Sequence, residues 1–176
     1  ASILILESEA MVEKRNAEPL AEIVGFGSSS DAHNLTQPSA EGQVRAMRIA
    51  INDAEIDSTK IGYINAHATG TGAGDKVEID AIKLLFEDHA QNVAVSSTKS
   101  MHGHLLGAAG ALEFAITVMA LKNKQIPPTA HLKDQDPKCD LDCVPFIGRS
   151  SPGLEYALCN SFAFGGSNAV LIAKHV

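Results

Sequence analysis

Ile61-Gly-Tyr-Ile-Asn65 runs straight into Ala66-His-Ala-Thr-Gly-Thr-Gly-Ala-Gly-Asp75, and Lys76-Val-Glu-Ile-Asp-Ala-Ile-Lys-Leu-Leu-Phe86 follows. The first piece suits a buried strand. The last repeats apolar residues at mixed helical spacing, and the small-residue middle is a loop. Strand, polar loop and helix in succession form the repeating unit of an α/β layer structure. The same alternation extends outward in both directions. Runs 3–7, 22–26, 61–65, 93–96, 156–160 and 169–174 read as strands, and 42–54, 74–86 and 104–122 as helices. Between the last helix and the last two strands, 125–153 holds five of the seven prolines and reads as a long irregular excursion.

A chain of 176 residues with 45% apolar and 20% charged composition can bury a real core, which excludes disorder and a disulfide scaffold. The net charge of −7, with no basic cluster, disfavours a nucleic-acid surface. The apolar stretch 105–119 carries Glu113, so it reads as a buried helix and not a membrane span. Three cysteines, Cys139, Cys143 and Cys159, and no charged, apolar leader favour a reduced, cytoplasmic setting, with an organelle matrix or stroma as the alternative. The sequence opens directly on the strand-like run 3–7, which suggests a piece of something longer.

Three polar, small-residue clusters fall at strand ends, where open α/β sheets bind ligands. They are Asn65 to Asp75, Ser96 to Glu113, and Asn160-Ser-Phe-Ala-Phe-Gly-Gly-Ser-Asn168. His67 lies in the first, and Lys99 and His104 in the second, with His104 at the start of the expected long helix. A nearby cation and a helix N-terminus both disfavour an imidazolium, so these rings are expected to be neutral. Two neutral imidazoles donating N–H to one oxygen would stabilise an enolate, which suits carbanion chemistry beside a carbonyl. Other readings are weaker. His102-Gly-His104 lacks partners at zinc-ligand spacing, and no G-x-G-x-x-G or G-K-[ST] phosphate cradle is present. Cys159 reads as a packed thiol, and Cys139 and Cys143 as structural.

The three clusters resemble those of the β-ketoacyl-[acyl carrier protein] synthases, especially the elongating synthase II type. That family writes them as N-A-H-G-T-S-T-x-x-G-D, S-S-T-K-S-x-x-G-H-x-x-G-A-A-G-x-x-E and N-S-F-G-F-G-G-x-N. The middle motif is matched in full, while Ala68, Gly70 and Ala163 depart from the other two. The resemblance spans the whole chain, including Pro127-Pro-Thr129 and Asp140-Leu-Asp-Cys-Val-Pro145.

The resemblance implies a thiolase-like fold, of which this chain is the second half of an αβαβα sandwich, a mixed five-stranded sheet flanked by helices. Residues 1–176 would be the C-terminal domain, and the nucleophilic cysteine, in a T-A-C motif, would belong to an N-terminal half. The implied reaction is a decarboxylative Claisen condensation of an acyl thioester with malonyl carrier protein in fatty-acid elongation. A polyketide-type ketosynthase and a non-catalytic chain-length factor are the alternatives. This chain alone would then be inactive.

Carried over by position, His67 and His104 would bind the malonyl thioester oxygen, and Lys99 would orient them, together with Glu113. Thr69 and Thr71 would hold the phosphopantetheine arm. Phe164 would gate the acyl tunnel with Phe162 beside it and Gly165 and Gly166 as support. The implied partners are acyl carrier protein, the N-terminal half and a second copy in a homodimer, with no nucleic acid, membrane or separate cofactor. No metal is assigned firmly; a structural alkali cation near Asn65, Glu113 and Asn160 is the one possibility carried over. The resemblance gives His102 no task.

Overall fold

The computed structural model describes residues 1–176. Five strands form a mixed sheet in the order β1 (Glu22–Ser30), β7 (Ser167–Lys174), β6 (Tyr156–Ala163), β2 (Ile61–Asn65), β3 (Ala94–Ser96). β1, β7 and β6 are antiparallel neighbours, whereas β6, β2 and β3 run parallel. This is the α/β arrangement expected from the alternating pattern. Both faces of β6 are covered, which is why its sequence shows a nearly continuous buried run instead of a strict alternation.

One face packs on helices α2 (Ala40–Asp53) and α3 (Gly74–Phe86): Met47, Ala50, Ile79, Ile82 and Phe86 meet Ile64, Leu158, Val170 and Ile172. The other face carries Tyr63, Ala157 and Cys159 against Phe114, Ala120 and Leu121 of α5 (Ala109–Asn123). α2 lies close on β1: a Cβ on Gly25 or Gly27 would sit 2.3 or 2.1 Å from the carbonyl oxygen of Ala50 or Ala46. Only a residue without a Cβ permits that approach. The excursion after α5 is closed by a two-residue pairing of β4 (Gln125–Ile126) with β5 (Arg149–Ser150). It is packed by its own side chains, with Leu141 and Val144 buried.

Two expectations fail. Run 3–7 joins no ladder, and Ile3 and Ile5 are exposed; a strand needs a partner edge, and neither β1 nor β3 accepts it. A short helix α1 (Glu9–Arg15) follows it, closed by Asn16 in the left-handed region. The expected helix 104–122 starts only at Ala109. The one-turn helix α4 (Lys99–His102) ends at Gly103, and Leu106 has φ 51°, so the apolar stretch leads first through a 3₁₀ turn, Leu106–Ala108. No helix is long and apolar enough to cross a membrane.

Candidate active site

Because β2, β3 and β6 are parallel neighbours, their C-terminal ends open on one edge of the sheet, and the three polar clusters meet there. The His67 and His104 rings approach edge to face, with centroids 5.5 Å apart. Phe162, buried at the end of β6, lies 6.2 Å from the His67 ring. A cavity of about 570 Å³ opens between Thr69, Thr71, Asp75, Lys99 and His104 on one side and the excursion, including Cys139 and Cys143, on the other.

His104 sits in the loop between α4 and the 3₁₀ turn, not at a helix N-terminus. Its Nδ1 accepts the Leu106 N–H at 3.2 Å, so the neutral ring carries its proton on Nε2. The left-handed Leu106 is part of the bend that brings that N–H back to the ring. His67 Nδ1 is buried without a partner. Burial first, then Lys99 and His104, pull the His67 pKa down to about 3. The expectation of a neutral His67 therefore holds, but desolvation is the principal cause and no helix N-terminus is involved.

Lys99 opens α4 and is buried, with its ammonium 2.5 Å from Glu113 Oε1 on α5. The contact is ionic without good hydrogen-bond alignment, and Glu113 Oε2 is left with no donor. Asn65, at the end of β2, gives its Nδ2 to the Glu113 carbonyl at 3.0 Å and to Thr117 Oγ1 at 3.2 Å, so the strand end is pinned to α5.

Sequence reasoning missed Glu78. Its carboxylate accepts the His67 N–H at 2.9 Å, the Ala68 N–H at 2.8 Å and Asn160 Nδ2 at 2.9 Å, clamping the loop that carries His67 onto α3 and β6. Burial raises the Glu78 pKa, and the Ala68 N–H, the Asn160 amide and the His67 N–H work against that rise. The available signal was the acidic pair Asp75 and Glu78, one helical turn apart at the start of α3.

Thr69 and Thr71 are exposed at the cavity rim with their hydroxyls 3.3 Å apart. Phe164, at 79% exposure, stands at the tip of the β6–β7 turn, where Gly165 and Gly166 have φ of 84° and 74°. Gly165 N–H donates to Leu35 O and Asp31 N–H to Gly166 O, both at 2.8 Å. Asp31 Oδ1 also accepts Asn168 Nδ2 at 2.6 Å. A Cβ at Gly166 would strike Asp31, so this position needs glycine for space as well as for its φ.

Residues 20–133 match the family described as β-ketoacyl synthase, C-terminal domain. The chain belongs to the β-ketoacyl synthase family. It is 47% identical over 179 aligned residues to 3-oxoacyl-[acyl-carrier-protein] synthase 2 of Vibrio harveyi, covering 100% of this chain and 43% of that protein. A β-ketoacyl synthase from Burkholderia phymatum STM815 superposes with a TM-score of 0.91 at 42% identity, covering 97% of this chain and 41% of that one. A type II PKS ketosynthase, solved with its acyl-carrier protein and bound to the hexaketide, gives a TM-score of 0.93 at 32% identity over 97% of this chain and 42% of its own. The fold is thiolase-like, and this chain spans less than half the length of these relatives.

The cysteines of this β-ketoacyl synthase domain are not poised nucleophiles. Burial pushes the Cys143 and Cys159 thiols up to about 12 and also raises Cys139. Of the three residues near which an alkali cation was carried over, Asn65 has its amide engaged. Glu113 Oε2 and Asn160 Oδ1 are each buried without a protein donor, but no group of three or more His, Cys, Asp or Glu is placed to hold a metal.

Proposed function

We propose that this chain is the C-terminal half of a 3-oxoacyl-[acyl carrier protein] synthase and supplies its decarboxylation site. The reading rests on the paired imidazoles, of which His104 carries its proton on Nε2, beside a buried Lys99–Glu113 pair. An acyl group is held as a thioester on a cysteine of the N-terminal half. The malonyl thioester enters on its phosphopantetheine arm along Thr69 and Thr71. His67 and His104 donate to the thioester carbonyl oxygen. The bond to the malonyl carboxylate breaks, CO₂ leaves, and the electron pair moves onto that oxygen as an enolate. The enolate carbon then attacks the acyl thioester carbonyl, forming the new C–C bond and releasing the cysteine thiolate. Two N–H donors aimed at the developing oxyanion favour the enolate over the ground-state ester, and burial keeps His67 from becoming an imidazolium that would protonate the enolate before it attacks.

The implied partners are acyl carrier protein, the N-terminal half and a second synthase copy, in the cytoplasm, with no separate cofactor. The uncovered side of α5, where Met119 is exposed, suits packing against a sister half. The likeness to the hexaketide-bound ketosynthase supports a second reading, elongation of a polyketide chain by the same chemistry.

The chain by itself, given acyl and malonyl carrier proteins, should form no ketoacyl product, since it offers no reactive acyl-accepting thiol. Chromatographic detection of steady product from this chain alone would contradict the half-site assignment.

Phe164→Ala tests the gate. The ring is exposed and buries little, so the melting temperature should move by no more than about 1–2 °C, as for a surface substitution. In the complete synthase the dependence of condensation rate on acyl-chain length should change. A large stability loss with unchanged chain-length preference would make Phe164 an ordinary packing residue.

A further inference from the structure

His102 is the imidazole of the second cluster that the condensation reading leaves without a task. Its ring bridges the two ends of the single-turn helix α4. Nδ1 lies 2.7 Å from the Gly103 carbonyl, and Nε2 lies 3.2 Å from Thr98 Oγ1. A carbonyl only accepts, so Nδ1 carries a proton toward Gly103. Thr98 is fully buried, and its single O–H lies within reach of both His102 Nε2 and Asn65 Oδ1; with Nδ1 protonated, Nε2 is the acceptor that takes it. The ring therefore ties the exposed end of α4 at Gly103 to a buried residue at its start.

α4 begins with Lys99 and leads through Gly103, at φ 74°, directly into His104. A four-residue helix has little stability of its own, because so few hydrogen bonds repay the ordering of its backbone. Its backbone closure onto Lys99 O is made by Gly103 N–H at 2.8 Å. Side-chain ties at both ends are what can hold such a turn in one geometry. Lys99 is fixed by Glu113, whereas His104 hangs on the far end of the turn.

We infer that His102 is a positioning residue for the decarboxylation site: by joining the Thr98 hydroxyl to the Gly103 carbonyl it fixes the turn that sets His104 relative to Lys99 and His67. This rests on the proposed condensation chemistry. The Thr98 arm carries the effect, since Thr98 is buried and fixed whereas Gly103 is exposed.

The test uses the complete synthase, with CO₂ release from malonyl carrier protein and acyl loading of the cysteine measured separately. His102→Ala should lower kcat for CO₂ release about tenfold, the rate equivalent of one lost hydrogen bond, with KM and acyl loading unchanged. His102→Gln, which reaches Thr98, should recover most of that loss. His102→Asn, which reaches only Gly103, should not. Thr98→Val should cause a similar loss and add little to His102→Ala. A His102→Ala rate within about twofold of the parent, or rescue by Asn equal to that by Gln, would overturn the inference. His104→Ala serves as the control. If it too leaves CO₂ release intact, the condensation reading itself fails. If it abolishes release while His102→Ala does not, only the role of His102 falls.

Discussion

Replacing His104 by alanine in the complete synthase should slow malonyl decarboxylation by roughly 10²–10³, the usual cost of losing one oxyanion donor. His67→Ala should cost a similar factor. The two rings meet at 5.5 Å, and His104 is arranged to donate from Nε2. In the proposed reaction they are separate donors to one developing charge, and neither takes over the other's position. Acyl loading should suffer far less, because no malonyl enolate forms in that step. His67 stays neutral until about pH 3. Acidification from about pH 7 to about pH 5 should therefore leave this ring neutral, although a free histidine would be largely protonated by the end of that range. The check is CO₂ release from malonyl carrier protein, with cysteine acylation followed in parallel. Equal losses in both steps would mean that the substitutions damage the fold and not the oxyanion site.

Glu113→Ala should be the most damaging single change to stability, at about 3–5 kcal/mol by chemical denaturation. The substitution leaves the Lys99 ammonium, 95% buried by its side chain, without the carboxylate that now sits 2.5 Å away. Glu113→Gln should do little better, since a neutral amide does not balance the charge. Replacing both partners, as in Lys99→Met with Glu113→Leu, should recover most of the stability while leaving decarboxylation impaired, because two apolar groups of similar size strand no charge. That double variant separates folding from chemistry. A loss below about 1 kcal/mol for Glu113→Ala, typical of exposed ion pairs, would show that the pair is solvated in solution.

The alternation that begins at Ile61 was enough to read an α/β sheet, because β2 and α3 each keep one pattern over their whole length. The long apolar stretch around Leu105 misleads, since hydrophobicity continues through the bend at Gly103 and Leu106 and says nothing about φ. That is why His104 was expected on a helix and lies in a loop. Residues 3–7 carry a strand's composition, but pairing is a property of two strands, and composition cannot supply the second.

At the site, His67, Lys99 and His104 could be named from their motifs. The clamp by Glu78 could not: it depends on α3 folding back over β2 and β6, a tertiary relation between residues far apart in sequence. Glu113 is named beside Lys99 by the resemblance, but that the two form a buried ion pair is likewise a tertiary fact. Glu113 lies on α5 and meets the lysine only after the bends between them close.

The most direct measurement is CO₂ release from malonyl carrier protein by the complete synthase bearing both His67→Ala and His104→Ala, alongside acyl loading of its cysteine. The expected result is a synthase that still accepts the acyl group but releases no CO₂ above background. Continued CO₂ release by that double variant, with loading intact, would contradict it.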